Sequence, residues 1–395
     1  GRVTDVPWAS FAEFFRSRVY DPQLATRNAL TFCDDDRQLR RTYTYAELGT
    51  MVERLAGVFH TRFGLTRGDR VATVLFNHDV TVLTYLAAWT LGAAVVPINL
   101  EESSEKKRYI LEHSEVSTVF CWQDSYEELC AFQSDISTLR HVIALGDAGV
   151  LDSHKAGKKS LSNRAPRSLR RSPSASGLDD HALIVYTSGT TGPPKGVILT
   201  VANLLIDADA IANWHGFGLN DRLMCVLPIH HVNGIVVTLI TPLHCKGSLV
   251  LNRRFKTNHF WRRIHEEQVT SVSVVPTLLE FLLDADEDIT PYDLSRLGGL
   301  ICGAGPLLKD TAACFEARFG VPIRHGYGLS ETTCYSCFLP NDLTHDQHRH
   351  WLTGYEFPSV GVPLRHNLMA ILDECGRTLP PATRGEICIR GRTVC

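Results

Sequence analysis

Two short glycine-rich runs carry the residues of this sequence that are best suited to chemistry on a phosphate chain. Glycines let a backbone approach a ligand closely, hydroxyls can donate hydrogen bonds to phosphate oxygens, and a lysine adds a positive charge. The lysine of the first run is followed by glycine rather than Ser or Thr, so the run is not a Walker A loop. It predicts a phosphate-binding loop of another kind, with a plain polar turn as the alternative. Its candidate ligands are Thr187, Ser188, Gly189, Thr190, Thr191, Gly192 and Lys195.

The second run, residues 325–333, follows a short strand-like segment. Tyr327 lies between two glycines, the second of which is Gly328, and it can present its ring to a nucleotide base. Glu331, followed by Thr332, is placed like a ligand for a hard cation such as Mg²⁺. The run therefore predicts a nucleotide and metal site, and an exposed turn with a surface carboxylate is the alternative.

The composition is that of an ordinary globular protein. The 395 residues are 44% hydrophobic and 21% charged, and 40 Lys and Arg against 43 Asp and Glu give a net charge of −3. This balance provides no overall basic field for nucleic acid, so we expect no nucleic-acid partner. The 12 cysteines include one C-x-x-C pair, Cys334 and Cys337, and no second pair at zinc spacing. They favour a reducing, cytoplasmic location over a disulfide framework.

Helix-period and strand-period segments alternate along most of the chain, which is typical of the α/β class. We expect two doubly wound, mostly parallel sheets packed with helices, and a small β-barrel-like subdomain at the C-terminal end. The predicted divisions are residues 1–177 for the first α/β subdomain, 178–333 for the second, which carries the phosphate loop, and 334–395 for a truncated β-rich subdomain.

An uncharged stretch from Val80 to Leu100 is long enough to span a bilayer. Gly92 and Pro97 divide it, however, into a helix that ends at a glycine and a short apolar run that is typical of a buried parallel strand. We therefore predict no membrane span.

Seven cations and no acid occur between Ser153 and Leu178, among serines, glycines and prolines. Such a composition cannot bury a core, so it predicts a mobile surface loop. A contact surface for an anionic partner such as RNA or lipid is the alternative.

Taken together, the two glycine-rich runs resemble motifs of the adenylate-forming superfamily, which includes acyl- and aryl-CoA synthetases, luciferases and the adenylation domains of peptide synthetases. Six further motifs of the family occur here in the family's order, at residues 42–48, 92–99, 228–234, 303–307, 359–363 and 385–391. Directly after the second of them, Leu100 stands where proline is usual.

The resemblance implies a two-step reaction in which a carboxylate attacks the α-phosphate of ATP, giving an acyl-adenylate and pyrophosphate, and a thiol then takes the acyl group. On this basis the first run, including Lys195, holds the β- and γ-phosphates. Tyr327 stacks on adenine, Glu331 binds Mg²⁺, and Thr332 donates to the α-phosphate region. The backbone of Gly303, Ala304 and Gly305 contacts adenine or the acyl chain.

The segment that resembles the wall of the acyl pocket contains no acid between Asn233 and Leu239, which favours a simple carboxylic acid over an amino acid. Val236 and its apolar neighbours favour a fatty or aryl acid. His231 either gates the pocket or packs as a neutral histidine, while Cys334 and Cys337 either touch the pocket or are buried small hydrophobic residues. Coenzyme A is the expected acceptor, with a carrier-protein thiol left open.

In the family an aspartate in a Thr-Gly-Asp context and a C-terminal lid domain follow, and neither occurs in this sequence. We therefore expect an isolated large domain that binds nucleotide weakly and adenylates slowly. One alternative is an ATPase or kinase that uses the same loop, although no motif for activating water or a hydroxyl accompanies it. A nucleotide-binding protein with little catalysis is the alternative from another class.

Overall fold

A computed structural model of the chain describes residues 6–146, 177–187, 192–285 and 287–395. The chain divides into two compact units. The first comprises residues 1–201, 228–231 and 251–253, and the second comprises 202–227, 232–250 and 254–395. Almost all of the predicted basic loop therefore lies outside the described residues.

The first unit contains a six-stranded sheet with the order β6-β5-β3-β4-β7-β8, in which only the β7–β8 pair is antiparallel. An antiparallel pair, β1 and β2, belongs to the same unit. The elements are α1 (Phe11–Val19), β1 (Asn28–Asp34), β2 (Leu39–Thr44), α2 (Tyr45–Phe63), β3 (Arg70–Val74), α3 (Asp79–Thr90), β4 (Ala94–Pro97), α4 (Ser104–His113), β5 (Thr118–Trp122), α5 (Tyr126–Phe132), β6 (His141–Leu145), β7 (His181–Thr187) and β8 (Lys195–Thr200).

The uncharged stretch after Val80 forms the centre of this unit. Helix α3 is buried on nearly every side, Gly92 follows it with a φ of +77°, and β4 is fully buried. This is the predicted division into a helix and a parallel strand. None of the helices in the described part of the chain is both long enough and apolar enough to cross a bilayer.

Helix α2 begins with a capping box, as its sequence predicts. The Thr44 side chain accepts a hydrogen bond from the Glu47 N–H, and the Glu47 carboxylate accepts one from the Thr44 N–H at 2.8 Å. At the other end Gly64 takes the left-handed conformation with a φ of +66°. These caps satisfy backbone groups that a helix cannot pair internally.

Replacing Thr44 by alanine removes this cap, and we expect the free energy of unfolding to fall by about 1 kcal/mol. Thr50→Ala is the matched control, since Thr50 is exposed in the interior of the same helix, and its expected change is within about 0.5 kcal/mol. Urea unfolding of both variants measures the difference. Equal losses would contradict a capping role for Thr44.

The second unit contains a sheet with the order β15-β14-β13-β12-β11-β9-β10. Strands β9, β11, β12 and β13 run parallel to one another. The elements are α6 (Val201–His215), β9 (Arg222–Cys225), α7 (Val232–Ile235), α8 (Thr241–His244), β10 (Ser248–Asn252), α9 (Thr257–Glu266), β11 (Ser271–Val274), α10 (Pro276–Asp284), β12 (Leu300–Cys302), α11 (Lys309–Phe319), β13 (Ile323–Tyr327), β14 (Cys337–Phe338), α12 (His345–Thr353), β15 (Val362–Pro363), β16 (Asn367–Leu372) and β17 (Glu386–Gly391).

The fold class agrees with the sequence prediction of two mostly parallel sheets packed with helices. The division between the units differs from the predicted boundary at residue 177, because β7 pairs in parallel with β4 through Leu183 and Val95. The phosphate loop therefore belongs to the first unit. Residues 334–395 contribute β14 and β15 to the larger sheet and form the separate β16–β17 ladder, and within this described stretch the strands do not close into a barrel.

Candidate active site

The phosphate loop is the connection of an antiparallel hairpin. Thr187, the last residue of β7, pairs with Lys195, the first residue of β8. Lys195 is exposed, and Gly192 has a φ of +112°, a conformation that favours glycine. The structure thus brings the two ends of the predicted loop together. Ser188, Gly189, Thr190 and Thr191 lie outside the described residues.

Two tyrosines hold the base of this hairpin. Tyr109 Oη donates to the Pro194 carbonyl at 3.2 Å, and Tyr186 Oη lies 2.7 Å from His113 Nδ1. Burial raises the pKa of Tyr186 to about 12, so its hydroxyl remains protonated at neutral pH. The loop therefore extends from a base that is fixed on both strands.

The two turns that are predicted to contact adenine lie at the carboxyl ends of two neighbouring parallel strands of the second unit. The turn Gly303–Gly305 follows β12, and Gly328 follows β13. In open α/β sheets ligands bind at this edge. A Cβ on Gly328 would lie 1.7 Å from the Cys334 carbonyl oxygen, so only glycine fits there. Ala304 is exposed with a φ of +61°, a strained conformation for alanine.

Glu331 and Thr332 form a single 3-10 turn directly after the Tyr327 segment. Glu331 is exposed, and its carbonyl accepts from the Cys395 N–H at 2.9 Å. Thr332 is buried, and its hydroxyl donates to the Leu329 carbonyl at 3.1 Å and accepts from Ser336 Oγ at 2.9 Å. The carboxylate is thus available to a ligand, whereas the hydroxyl is occupied within the turn.

Thr333 adopts a rare backbone conformation immediately after these two residues. Its φ of 71° and ψ of −67° define a γ-turn, closed by a 3.0 Å hydrogen bond from the Cys334 N–H to the Thr332 carbonyl. A β-branched residue at positive φ is a genuine outlier. The Thr333 hydroxyl donates to the Thr393 carbonyl at 2.7 Å, which helps to hold the turn.

The strain at Thr333 can be separated from its hydrogen bond with two variants. Thr333→Gly and Thr333→Ala both lose the bond to Thr393, but only glycine adopts this φ without steric cost. We expect the glycine variant to be the more stable of the two by about 1 kcal/mol, the cost of a left-handed L-residue. Thermal or urea unfolding measures the difference. An alanine variant that is equally or more stable would show that the turn is not strained.

The predicted pocket wall is helical. Residues Val232–Ile235 form α7, a π-helical turn spans Val236–Ile240, and Val236 is fully buried. Inserted π-turns occur often at functional sites. His231 precedes this helix and belongs to the first unit.

Two adjacent histidines before this helix are neutral at physiological pH. Their rings lie 4.4 Å apart. Burial, together with the neighbouring His231, lowers the pKa of His230 to about 3, and burial also lowers the pKa of His231. Neither imidazole carries a charge toward an acid substrate at pH 7.

The lowered pKa of His230 predicts that the free energy of unfolding decreases as the pH is lowered. The unfolded chain protonates this histidine below about pH 6.5, whereas the folded chain does so only near pH 3, so unfolding becomes progressively easier between these values. His230→Gln should therefore flatten the decrease in melting temperature between pH 6.5 and 4. His345→Gln, which changes an exposed histidine, is the control. Parallel curves for the wild type and His230→Gln would contradict the shift.

Sequence reasoning missed a buried polar network behind the Glu331 turn. Asp207 is fully buried on α6, and burial raises its pKa well above the ordinary carboxyl range. Its Oδ2 accepts the Tyr335 N–H at 3.3 Å. The available signal was an acid on the apolar face of a predicted helix, in Leu204-Leu205-Ile206-Asp207-Ala208.

The two cysteines near Glu331 are both buried. Burial raises the pKa of Cys334 well above its usual value and that of Cys337 to about 11. They are protonated thiols that pack in the interior, not nucleophiles.

A cavity of about 500 Å³ lies elsewhere in the second unit. Its lining includes Trp214, His215, Arg324 and His348 and none of the predicted site residues. The predicted site residues among those described therefore lie outside the lining of this cavity.

Comparison with known proteins identifies the family. The model of the AMP-binding enzyme family matches residues 22–395. The chain belongs to the AMP-binding enzyme family. A sulfoacetate–CoA ligase from Cupriavidus necator is 32% identical over 357 residues, which cover 89% of this chain and 65% of the relative. The present chain therefore spans about two thirds of the length of that relative.

Two solved structures have a similar fold. ATP-bound MatB from Rhodopseudomonas palustris has a TM-score of 0.80 at 25% identity, covering 97% of this chain and 71% of its own. The inhibitor-bound N-terminal domain of FACL13 from Mycobacterium tuberculosis has a TM-score of 0.79 at 25% identity, covering 98% of this chain and 90% of its own.

Proposed function

We propose that this chain carries the adenylating part of an AMP-forming acid–thiol ligase. It would activate a carboxylic acid with ATP to an acyl-adenylate and pass the acyl group to a thiol, most simply that of coenzyme A. The relative from Cupriavidus necator is named a CoA ligase, and one structural neighbour holds ATP. The observation that carries the proposal is the exposed Glu331 carboxylate, which lies two residues before the strained Thr333 and one strand away from the glycine turn at Gly303.

In the first step a substrate carboxylate oxygen bonds to the α-phosphorus of ATP, and the bond from that phosphorus to the bridging oxygen breaks to release pyrophosphate. Such a reaction depends on positioning and on neutralising charge rather than on a protein nucleophile. We assign Thr187, Lys195 and the loop between them to the β- and γ-phosphates. We assign Tyr327, Gly328 and the turn Gly303–Gly305 to adenine.

Glu331 fits a role in holding Mg²⁺. This ion prefers one or two carboxylates together with substrate phosphates, and the Glu331 carboxylate is exposed. Among the described residues no group of three or more His, Cys, Asp or Glu is placed to hold a metal ion, so the phosphates would supply the other ligands. Bound there, Mg²⁺ would neutralise charge on the departing pyrophosphate.

Thr332 requires a modified assignment. Donation to the α-phosphate would oblige its hydroxyl to leave the Leu329 carbonyl, which it now contacts at 3.1 Å. We propose that Thr332 first of all positions Glu331.

The cytoplasm is the proposed location, which the twelve free cysteines support.

Glu331→Gln keeps the shape of the side chain and removes its charge. We expect carboxylate-dependent exchange of pyrophosphate into ATP to fall about 100-fold, the order expected for losing one transition-state contact. Calorimetric titration with Mg·ATP should show weaker binding in the same variant. Glu374→Gln, an exposed carboxylate elsewhere in the second unit, is the control and should leave both unchanged.

Two outcomes would reject the proposal. Phosphate release that needs no carboxylate would identify an ATPase. Nucleotide binding without exchange for any acid would identify a nucleotide-binding protein with little catalysis.

A further inference from the structure

Tyr335 occupies the space in front of the Gly303 turn. A Cβ added to Gly303 would lie 2.6 Å from Tyr335 Oη, so the phenol fills the volume that a side chain would take there. Tyr335 is 2% exposed and is among the largest fully buried side chains of the described chain. The family resemblance implies that the backbone at Gly303 contacts adenine or the acyl chain. If the acyl chain passes this glycine, the phenol stands in its path.

Three contacts fix this tyrosine. Its N–H donates to the buried Asp207 carboxyl at 3.3 Å, and its ring packs against Phe338 with centroids 4.4 Å apart. Asn233, on the helical wall segment, donates from Nδ2 to Tyr335 Oη at 3.3 Å. A side chain held at its backbone, ring and hydroxyl cannot swing away without breaking buried contacts.

The hydroxyl end of Tyr335 is part of a polar chain. Ser273 Oγ donates to Asn233 Oδ1 at 2.5 Å, which orients the Asn233 amide so that its NH₂ points at the phenol oxygen. Burial raises the pKa of Tyr335 well above its ordinary value, so the phenol keeps its proton. Because Oη accepts from Asn233, its proton remains available to an acceptor on a ligand.

We propose that Tyr335 sets the substrate class: a short-chain acid whose far end carries a second polar acceptor, such as a dicarboxylic acid. This inference rests on the proposed function. A long alkyl chain or an aryl ring would have to displace a side chain held at three points. A short acid with an apolar end would fit but would leave the phenol proton without an acceptor. Such an acid should therefore bind more weakly than one with a polar end, because a buried donor left without a partner costs free energy.

The test uses non-hydrolysable acyl-adenylate mimics that carry malonyl, propionyl, octanoyl or benzoyl groups, titrated calorimetrically into the wild type. We expect the malonyl mimic to bind about tenfold more tightly than the propionyl mimic, the equivalent of one hydrogen bond. The octanoyl and benzoyl mimics should bind weakly or not at all. Binding measures the pocket independently of turnover.

Two variants locate the effect at Tyr335. Tyr335→Phe keeps the ring and removes the hydroxyl, so it should abolish the preference for malonyl over propionyl. Tyr335→Ala opens the pocket and should improve octanoyl binding at least about tenfold relative to the wild type. Tyr292→Phe, a tyrosine on another loop of the second unit, is the matched control and should change neither.

Distinct results overturn distinct statements. Tightest wild-type binding of the octanoyl or benzoyl mimic would refute the role of Tyr335 while leaving the ligase proposal intact. A malonyl preference that Tyr335→Phe leaves unchanged would refute the hydrogen-bonding part. Failure of every mimic to bind a chain that unfolds cooperatively would reject the proposed function itself.

Discussion

The γ-turn at Thr333 is the constraint on which the rest of the second unit's site depends. A threonine at a φ of 71° costs about 1–3 kcal/mol, and such strain persists only where the surrounding structure over-determines it. Here the hydroxyl bond to Thr393 and the Cys395 N–H on the Glu331 carbonyl hold the chain on either side of the turn. The reversal presents Glu331 at the surface and sends the next residues into the core.

The same reversal explains why polar groups are buried behind the site. Asp207 accepts the Tyr335 N–H, and burial raises the pKa of its carboxyl well above the ordinary range, since burial penalises the charged form. Asn233 and Ser273 complete the chain to the phenol. These directional contacts hold Asp207, Tyr335 and Asn233 in one arrangement relative to each other.

The predicted phosphate loop differs from a Walker A loop in the elements that it connects. A Walker A loop leads from a strand into a helix, whereas Thr187 and Lys195 close a hairpin between antiparallel strands. Tyr109 and Tyr186 hold the base of this hairpin through Pro194 and His113.

Local patterns determined much of this protein. Short stretches of sequence predict the Thr44 capping box, the glycine after α3, the alternating strands and helices and the two glycine-rich runs. They do so because capping, periodicity and positive φ depend on neighbouring residues. Tertiary structure alone decided the rest. The pairing of Leu183 with Val95 places the predicted phosphate loop in the first unit. The hydrogen bond from Thr333 to Thr393 and the Asp207–Tyr335–Asn233 network join residues far apart in sequence. Their stability comes from burial and from hydrogen bonds that exist only once distant segments meet, and no local pattern encodes that energy.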